Sequence, residues 1–223
     1  MNEQPGPAPL TGWRRTLVLT VDRWIYFLSK RWLIFFNLAV ALYLFLPVLA
    51  PVLTVAGAPR VGKALYIAYR PACHQLPERS LFLFGPKLTY SLEELHGAGL
   101  ISPQDGPLAR QRFLGAPGIG FKIALCQRDI ALYGTMFIAG LAFGVVRALR
   151  KQPVRPLPLW LFGLLLVPMI ADGGTQLIML RESNLVLRTI TGALTGFACV
   201  WLLYPHLQAA FDDLRIQAEA RVR

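Results

Sequence analysis

The stretch ACHQLPERS gathers Cys73, His74, Glu78 and Arg79 into one short segment. Three later segments repeat the theme of polar groups beside oily runs: Cys126, Arg128 and Asp129; Asp172 and Gln176; and Arg188. Two thiols, an imidazole and a carboxylate are the ligand types of zinc and other borderline divalent metals. Cys73, His74, Cys126 and Asp172 are therefore the candidate metal set. Guanidinium groups recognise phosphate and carboxylate, so Arg79, Arg128 and Arg188, with Asp172 and Gln176, are the candidate ligand-binding set. The spacing is not a zinc signature, because the chain has no CxxC and no HxxxH. Neighbouring side chains also diverge in a strand, which makes Cys73 and His74 awkward joint ligands. Two other chemistries stay open for the sulfurs: a Cys73–Cys126 disulfide in an oxidising compartment, or a reactive thiol. A nucleophilic thiol needs a neighbouring base, and the remaining histidines, His96 and His206, lie far along the chain. With three cysteines in all, no second pair is present to pass electrons onward. No residue is assigned a catalytic role.

The elements that must position these groups follow from composition. Of 223 residues, 55% are hydrophobic and only 16% charged, against about 25% charged in soluble domains. The charges are bunched between apolar runs, which is the pattern of a membrane protein. The net charge of +11 does not point to nucleic acid, because Lys and Arg cluster beside the apolar runs, where they set topology and touch anionic lipid. The fold class expected is all-α: a polytopic membrane protein with four transmembrane helices, near 33–55, 130–146, 157–180 and 185–204. The first run lacks a signal-peptide cleavage pattern and is expected as a retained anchor. Residues 1–32 divide into a Pro-rich polar tail, Met1–Thr11, and an interfacial helix, Gly12–Trp32, whose Asp22–Arg23 pair argues against spanning. Residues 56–129 form an outer loop, residues 205–223 a cytoplasmic tail, and no second domain is evident.

Four spans put both termini on one side. Arg14, Arg15, Arg23, Lys30 and Arg31, then Arg147, Arg150, Lys151 and Arg155, then Arg215, Arg221 and Arg223 fall there, whereas the short opposite loop holds Arg181 and Glu182. The positive-inside rule makes that side the cytoplasm, in a cell (inner) membrane. Residues 56–129 are then extracytoplasmic, although they too are basic. Within them, Val61–Arg70 reads as a helix leaving the membrane surface, and SLEELHG as a short helix capped by Ser91 with Glu94 three residues on. This topology puts all the candidate site residues at one depth, near the outer mouth. Each has a structural reading beside the functional one: an Asp172–Arg188 ion pair fixing helix packing, Arg79 and Arg128 as headgroup anchors, and Asp129 with Tyr133 capping and belting the second span. GLAFG (Gly140–Gly144) and GALTG (Gly192–Gly196) are GxxxG faces that permit close helix approach, within the chain, to a membrane-protein partner or in a homo-oligomer. Gly173–Gly174 beside Asp172 either breaks the third span around a polar pocket or marks close packing.

Taken in order, CHQLPERS, GFKIALCQRDIALYG, DGGTQ and RESNLVLRTITG resemble a family of bacterial and archaeal membrane proteins of unknown function marked by a Cys-His-Gln motif. The resemblance runs from about Tyr69 to Gly196. It carries over onto Cys73, His74, Gln75, Arg79, Ser80, Cys126, Arg128, Tyr133, Gly134, Asp172, Gly173, Gln176, Asn184, Arg188, Thr191 and Gly192. It implies a shared outer polar site and supplies no activity. The stretch 86–110 looks like extra length between the first two motifs, suited to binding a partner. Three functions follow as expectations: a ligand- or metal-binding membrane protein, an accessory subunit of a larger membrane complex, and an outer-face thiol–disulfide protein.

Overall fold

In a computed structural model, the structure describes residues 11–150, 152–178 and 180–222; the polar tail expected over Met1–Thr11 lies outside them but for Thr11. The first element, α1, is a single helix over Gly12–Val55. Between Trp13 and Leu46 there is neither Gly nor Pro to break it. The segment expected as a separate interfacial helix therefore runs straight into the first apolar run. At 1.5 Å per residue, 44 residues extend about 66 Å, roughly twice the thickness of a bilayer core. The helix continues through Pro47 and Pro51 and ends where Gly57 adopts a left-handed conformation, φ +85°. Helix α2, Pro59–Tyr69, then folds back on α1. Gly62 allows this close approach, because a Cβ there would lie 2.7 Å from the Ala50 carbonyl oxygen.

Past a 3-10 turn at Pro77–Arg79, the segment expected as an outer loop holds more structure than the sequence reading gave it. Strand β1 (Ser80–Leu83), helices α3 (Leu92–Gly97) and α4 (Pro107–Arg112), and strands β2 (Gly115–Ala116) and β3 (Gly120–Cys126) follow. The sheet is antiparallel, ordered β1-β3-β2, and pairs Ser80 with Cys126 at the end nearest the bundle. Helix α3 carries the expected capping box: Ser91 Oγ accepts from the Glu94 amide, and the Glu94 carboxylate accepts from the Ser91 amide. The stretch 86–110 has a small core of its own, where Tyr90, Leu95 and Ile101 pack on Phe82. Its Arg110 pairs with Glu78 at 2.8 Å, which ties it back to the PERS turn.

Three long helices complete the chain: α5 (Gln127–Leu149), α6 (Leu159–Leu177) and α7 (Leu185–Val222). With α1 they are, among the described residues, the four helices long and apolar enough to cross a membrane. The architecture is thus an all-α polytopic membrane bundle with a small sheet at one end. Helix α7 does not stop near Tyr204; it continues through Pro205, so most of the expected 205–223 tail is helical. This extension pairs with the start of α1. Trp32 stacks on Phe211 with centroids 5.5 Å apart and donates from its indole nitrogen to Gln208 Oε1 at 3.1 Å.

Both GxxxG faces close within the chain and are not left open to a partner. A Cβ at Gly196 would lie 2.3 Å from Leu132 O, and one at Gly192 2.6 Å from Arg128 O, so α7 touches the α5 backbone at both. Gly140 meets Asn37, and Gly144 meets Leu33, on α1. The Gly173–Gly174 pair does not break α6, which is helical throughout; Gly173 instead makes room for the Arg128 guanidinium, 3.2 Å from where its Cβ would be.

Candidate functional site

The CHQ segment hangs from the end of α2. The Cys73 amide donates to Tyr69 O at 3.0 Å, which extends the last turn and tucks the Cys73 side chain into the core beside Ala50, Tyr66 and Leu125. Gln75 then takes φ +49°, an uncommon conformation for a residue with a Cβ. Buried polar contacts hold it there. Its side-chain amide donates to Tyr66 O at 2.9 Å, and its carbonyl accepts from Lys122 Nζ at 2.5 Å. Lys122 is fully buried on β3 and also donates to Gln111 O at 2.9 Å. It thereby ties the CHQ turn to the last turn of α4. Burial drives the Lys122 ammonium down to a pKa of about 7. This reversal at the sharp turn leaves His74 exposed while Cys73 and Gln75 face inward.

Strand β3 delivers Cys126 to the same place. The Cys126 amide donates to Cys73 Sγ at 3.2 Å, and the Cys126 thiol donates to Asp129 Oδ2 at 3.0 Å. Cys126 is also the N-cap of α5, its sulfur accepting from the Asp129 amide at 3.5 Å. Cys73 Sγ, Cys126 Sγ and an Asp129 carboxylate oxygen lie within 4.8 Å of one another. Both cysteines are free thiols in this structure. Hydrogen bonding with Cys126, reinforced by burial, pushes the Cys73 thiol well above its ordinary range.

These groups form one wall of a cavity of about 260 Å³. The CHQL segment and Arg79 border it, α5 contributes Arg128 and Asp129, α6 contributes Met169 and Gln176, and α7 contributes Arg188. Of the sequence-predicted residues, Cys73, His74, Arg79, Cys126, Arg128, Gln176 and Arg188 share this space. His74 borders it without joining the sulfur–carboxylate cluster. Asp172 stands behind the wall. Its Oδ1 accepts from Arg181 at 2.7 Å, and its Oδ2 accepts from Ser183 at 2.9 Å and from Arg128. With both oxygens taken, Asp172 does not reach the sulfurs, and Asp129 holds the position expected for it in the metal set. The expected Asp172–Arg188 pair is likewise not formed. Arg188 is 4% exposed and donates to Gln127 Oε1 at 3.0 Å and to Glu78 O at 3.3 Å. Glu182 spans Arg79 at 3.3 Å and Arg188 at 3.5 Å, and accepts from Gln176 Nε2 at 3.3 Å.

Sequence reasoning passed over Lys122, Gln127, Glu182 and Ser183, and took Asp129 for a helix cap. Lys122 carried a signal: a single cation inside the apolar run GFKIALC. Glu182 and Ser183 carried none, because a polar turn between two apolar helices is what any span connection looks like.

Comparison with known proteins points the same way as the fold. Residues 118–202 match the model of a family described as a predicted membrane protein, DUF2085. That match takes in Cys126, Arg128, Asp172 and Arg188 and begins after the CHQ segment. The chain is 29% identical over 147 residues to an uncharacterized protein of Methanocaldococcus jannaschii, covering 65% of this chain and 69% of that one. No solved structure matches. The similarity is to membrane proteins of unknown function.

Proposed function

We propose that this protein holds a borderline divalent metal, zinc or a close relative, at the outer mouth of a four-span bundle in the cell membrane. The single observation that carries the reading is the cluster of Cys73 Sγ, Cys126 Sγ and Asp129 within 4.8 Å on a cavity wall. Ligand atoms around a tetrahedral zinc sit about 3–4 Å apart, so a small closure makes three bonds, and the fourth position faces the cavity. Three protein ligands with one open position are the pattern of a site that meets a substrate or ligand, not one that only braces a fold. The raised affinity of Cys73 for its proton means that a metal must displace it, as thiolate ligation requires. The accessory-subunit reading loses its GxxxG docking faces, which pack internally, and keeps the N-terminal helix and the stretch 86–110.

The outward placement rests on charge. Arg14, Arg15, Arg23, Lys30 and Arg31 precede the first apolar run, Arg147 sits in the last turn of α5, and Arg150 and Arg155 lie between α5 and α6, which together support a cytoplasmic assignment of that end.

Metal analysis of the purified full chain in detergent after incubation with zinc tests the reading. About one zinc per chain is expected, lost in Cys73→Ser and Cys126→Ser, weakened in Asp129→Asn and kept in Asp172→Asn. Wild-type protein that retains no stoichiometric zinc would overturn it.

A further inference from the structure

The cavity is also lined by cations. Arg79, Arg128 and Arg188 all border it. Among the described residues, the buried Nε atoms of these three guanidinium groups have no hydrogen-bond partner. Buried donors of this kind are rare in a finished interior and cost free energy until an acceptor meets them. The local charges are also unequal: four guanidinium groups, Arg79, Arg128, Arg181 and Arg188, face three carboxylates, Asp129 on the cavity wall and Asp172 and Glu182, which the arginines share.

The two shared carboxylates differ. Asp172 is 2% exposed, sits within α6 and is held by close contacts. Glu182 lies in the connection between α6 and α7, its side chain is 69% exposed, and its contacts are long, 3.3 Å to Arg79 and 3.5 Å to Arg188. An exposed carboxylate with loose contacts gains little from each pair. It is therefore the component most readily displaced.

We propose that the arginine side of this cavity binds a phosphate group, free or on a lipid headgroup, and that Glu182 occupies two of its guanidinium groups, Arg79 and Arg188, until that ligand replaces it. Phosphate offers more acceptor oxygens than a carboxylate and suits converging guanidinium forks. The cavity, about 260 Å³, falls just below the ~300–1,000 Å³ range of drug-sized ligand pockets, which fits one phosphate group with a small substituent. The anion site depends on the arginine geometry and not on the metal, so the two readings can fail separately.

Thermal unfolding of the purified full chain in neutral detergent, zinc-loaded and zinc-free, is followed while inorganic phosphate is titrated. A parallel arm uses vesicles of phosphatidylcholine with and without phosphatidic acid. A saturable rise in the midpoint is expected, and zinc-free protein shows it too. Glu182→Gln removes the competitor and lowers the half-saturating concentration by about tenfold, whereas Arg79→Gln raises it by at least as much. Saturation by free phosphate identifies a soluble anion, and a response confined to phosphatidic acid identifies a lipid headgroup; either supports the site. If neither ligand acts on wild type or Glu182→Gln, or if Glu182→Gln binds no better than wild type, the proposal is overturned.

Discussion

Lys122 spends a charge where the chain can least accommodate one, and it does so to hold two carbonyl oxygens from separate segments. Its folded pKa of about 7 lies below the ordinary lysine value. Between about pH 7 and 10 the unfolded chain therefore binds the proton that the folded chain has released. The Lys122 contribution to stability rises with pH across that window, by up to about 1.4 kcal/mol per unit, until above about pH 8.5 the Cys73 thiol, which keeps its proton only when folded, offsets it. The thermal midpoint in detergent should climb from pH 7 to about pH 8 in wild type, and the slope should flatten in Lys122→Met. Asp172 poses the opposite case, a buried anion between two cations. Asp172→Asn leaves Arg128 and Arg181 without their counter-charge and should cost about 3–5 kcal/mol, read as a lowered midpoint without loss of zinc. At this scale the sequence revealed which residues were expensive in a membrane but not how they pair. Asp172, Arg128 and Arg188 stood out because charge within an apolar run is rare. Which arginine meets which carboxylate depends on rotamers and on a loop, and Asp129, at a helix start, has an ordinary explanation that concealed its place beside the sulfurs.

Among the elements, the tightest joint is α7 against α5, where Gly192 and Gly196 bring α7 up to α5 carbonyl oxygens. Gly196→Val places side-chain atoms where Leu132 O now sits, so the helices must part. Folded yield in detergent should fall sharply, while Gly174→Ala, where a Cβ meets nothing within 4 Å, should be tolerated. The spans themselves were legible because uncharged runs of about 20 residues have few other uses. Their ends were not. Helix α7 runs on through Pro205, and α1 begins well before its apolar run, since helix continuation past the hydrocarbon is decided by packing of one extension on the other. The sheet escaped notice for a different reason: β1 has four residues, and β3 is buried along most of its length, so neither shows the polar–apolar alternation that marks a strand.

At the level of the whole molecule, the cavity joins the CHQ segment, the PERS turn, β3, α5, α6 and α7, so its integrity reports on most of the assembly. A ligand that binds only the folded chain stabilises it by mass action. If the sulfurs hold zinc, a chelator should lower the thermal midpoint of wild type and leave Cys73→Ser unmoved. That several sequence-distant polar groups meet in one place was foreseeable, because lipid offers them no other partner. The meeting of Cys73 with Cys126 was expected too, but the small sheet that brings them together was not, since nothing local in either segment marks a strand.

The pairing of Trp32 with Gln208 and Phe211 has a bearing on how the chain is made. During synthesis, α1 emerges with that indole uncovered; Phe143 of α5 can meet one edge of it, but the residues that stack on it and accept its N–H are translated more than 170 positions later. Until α7 arrives, the nascent chain must keep an aromatic face waiting at the membrane surface. Stopping translation just after Tyr204 would leave α1 without the segment that stacks on it, even with every apolar span already inserted.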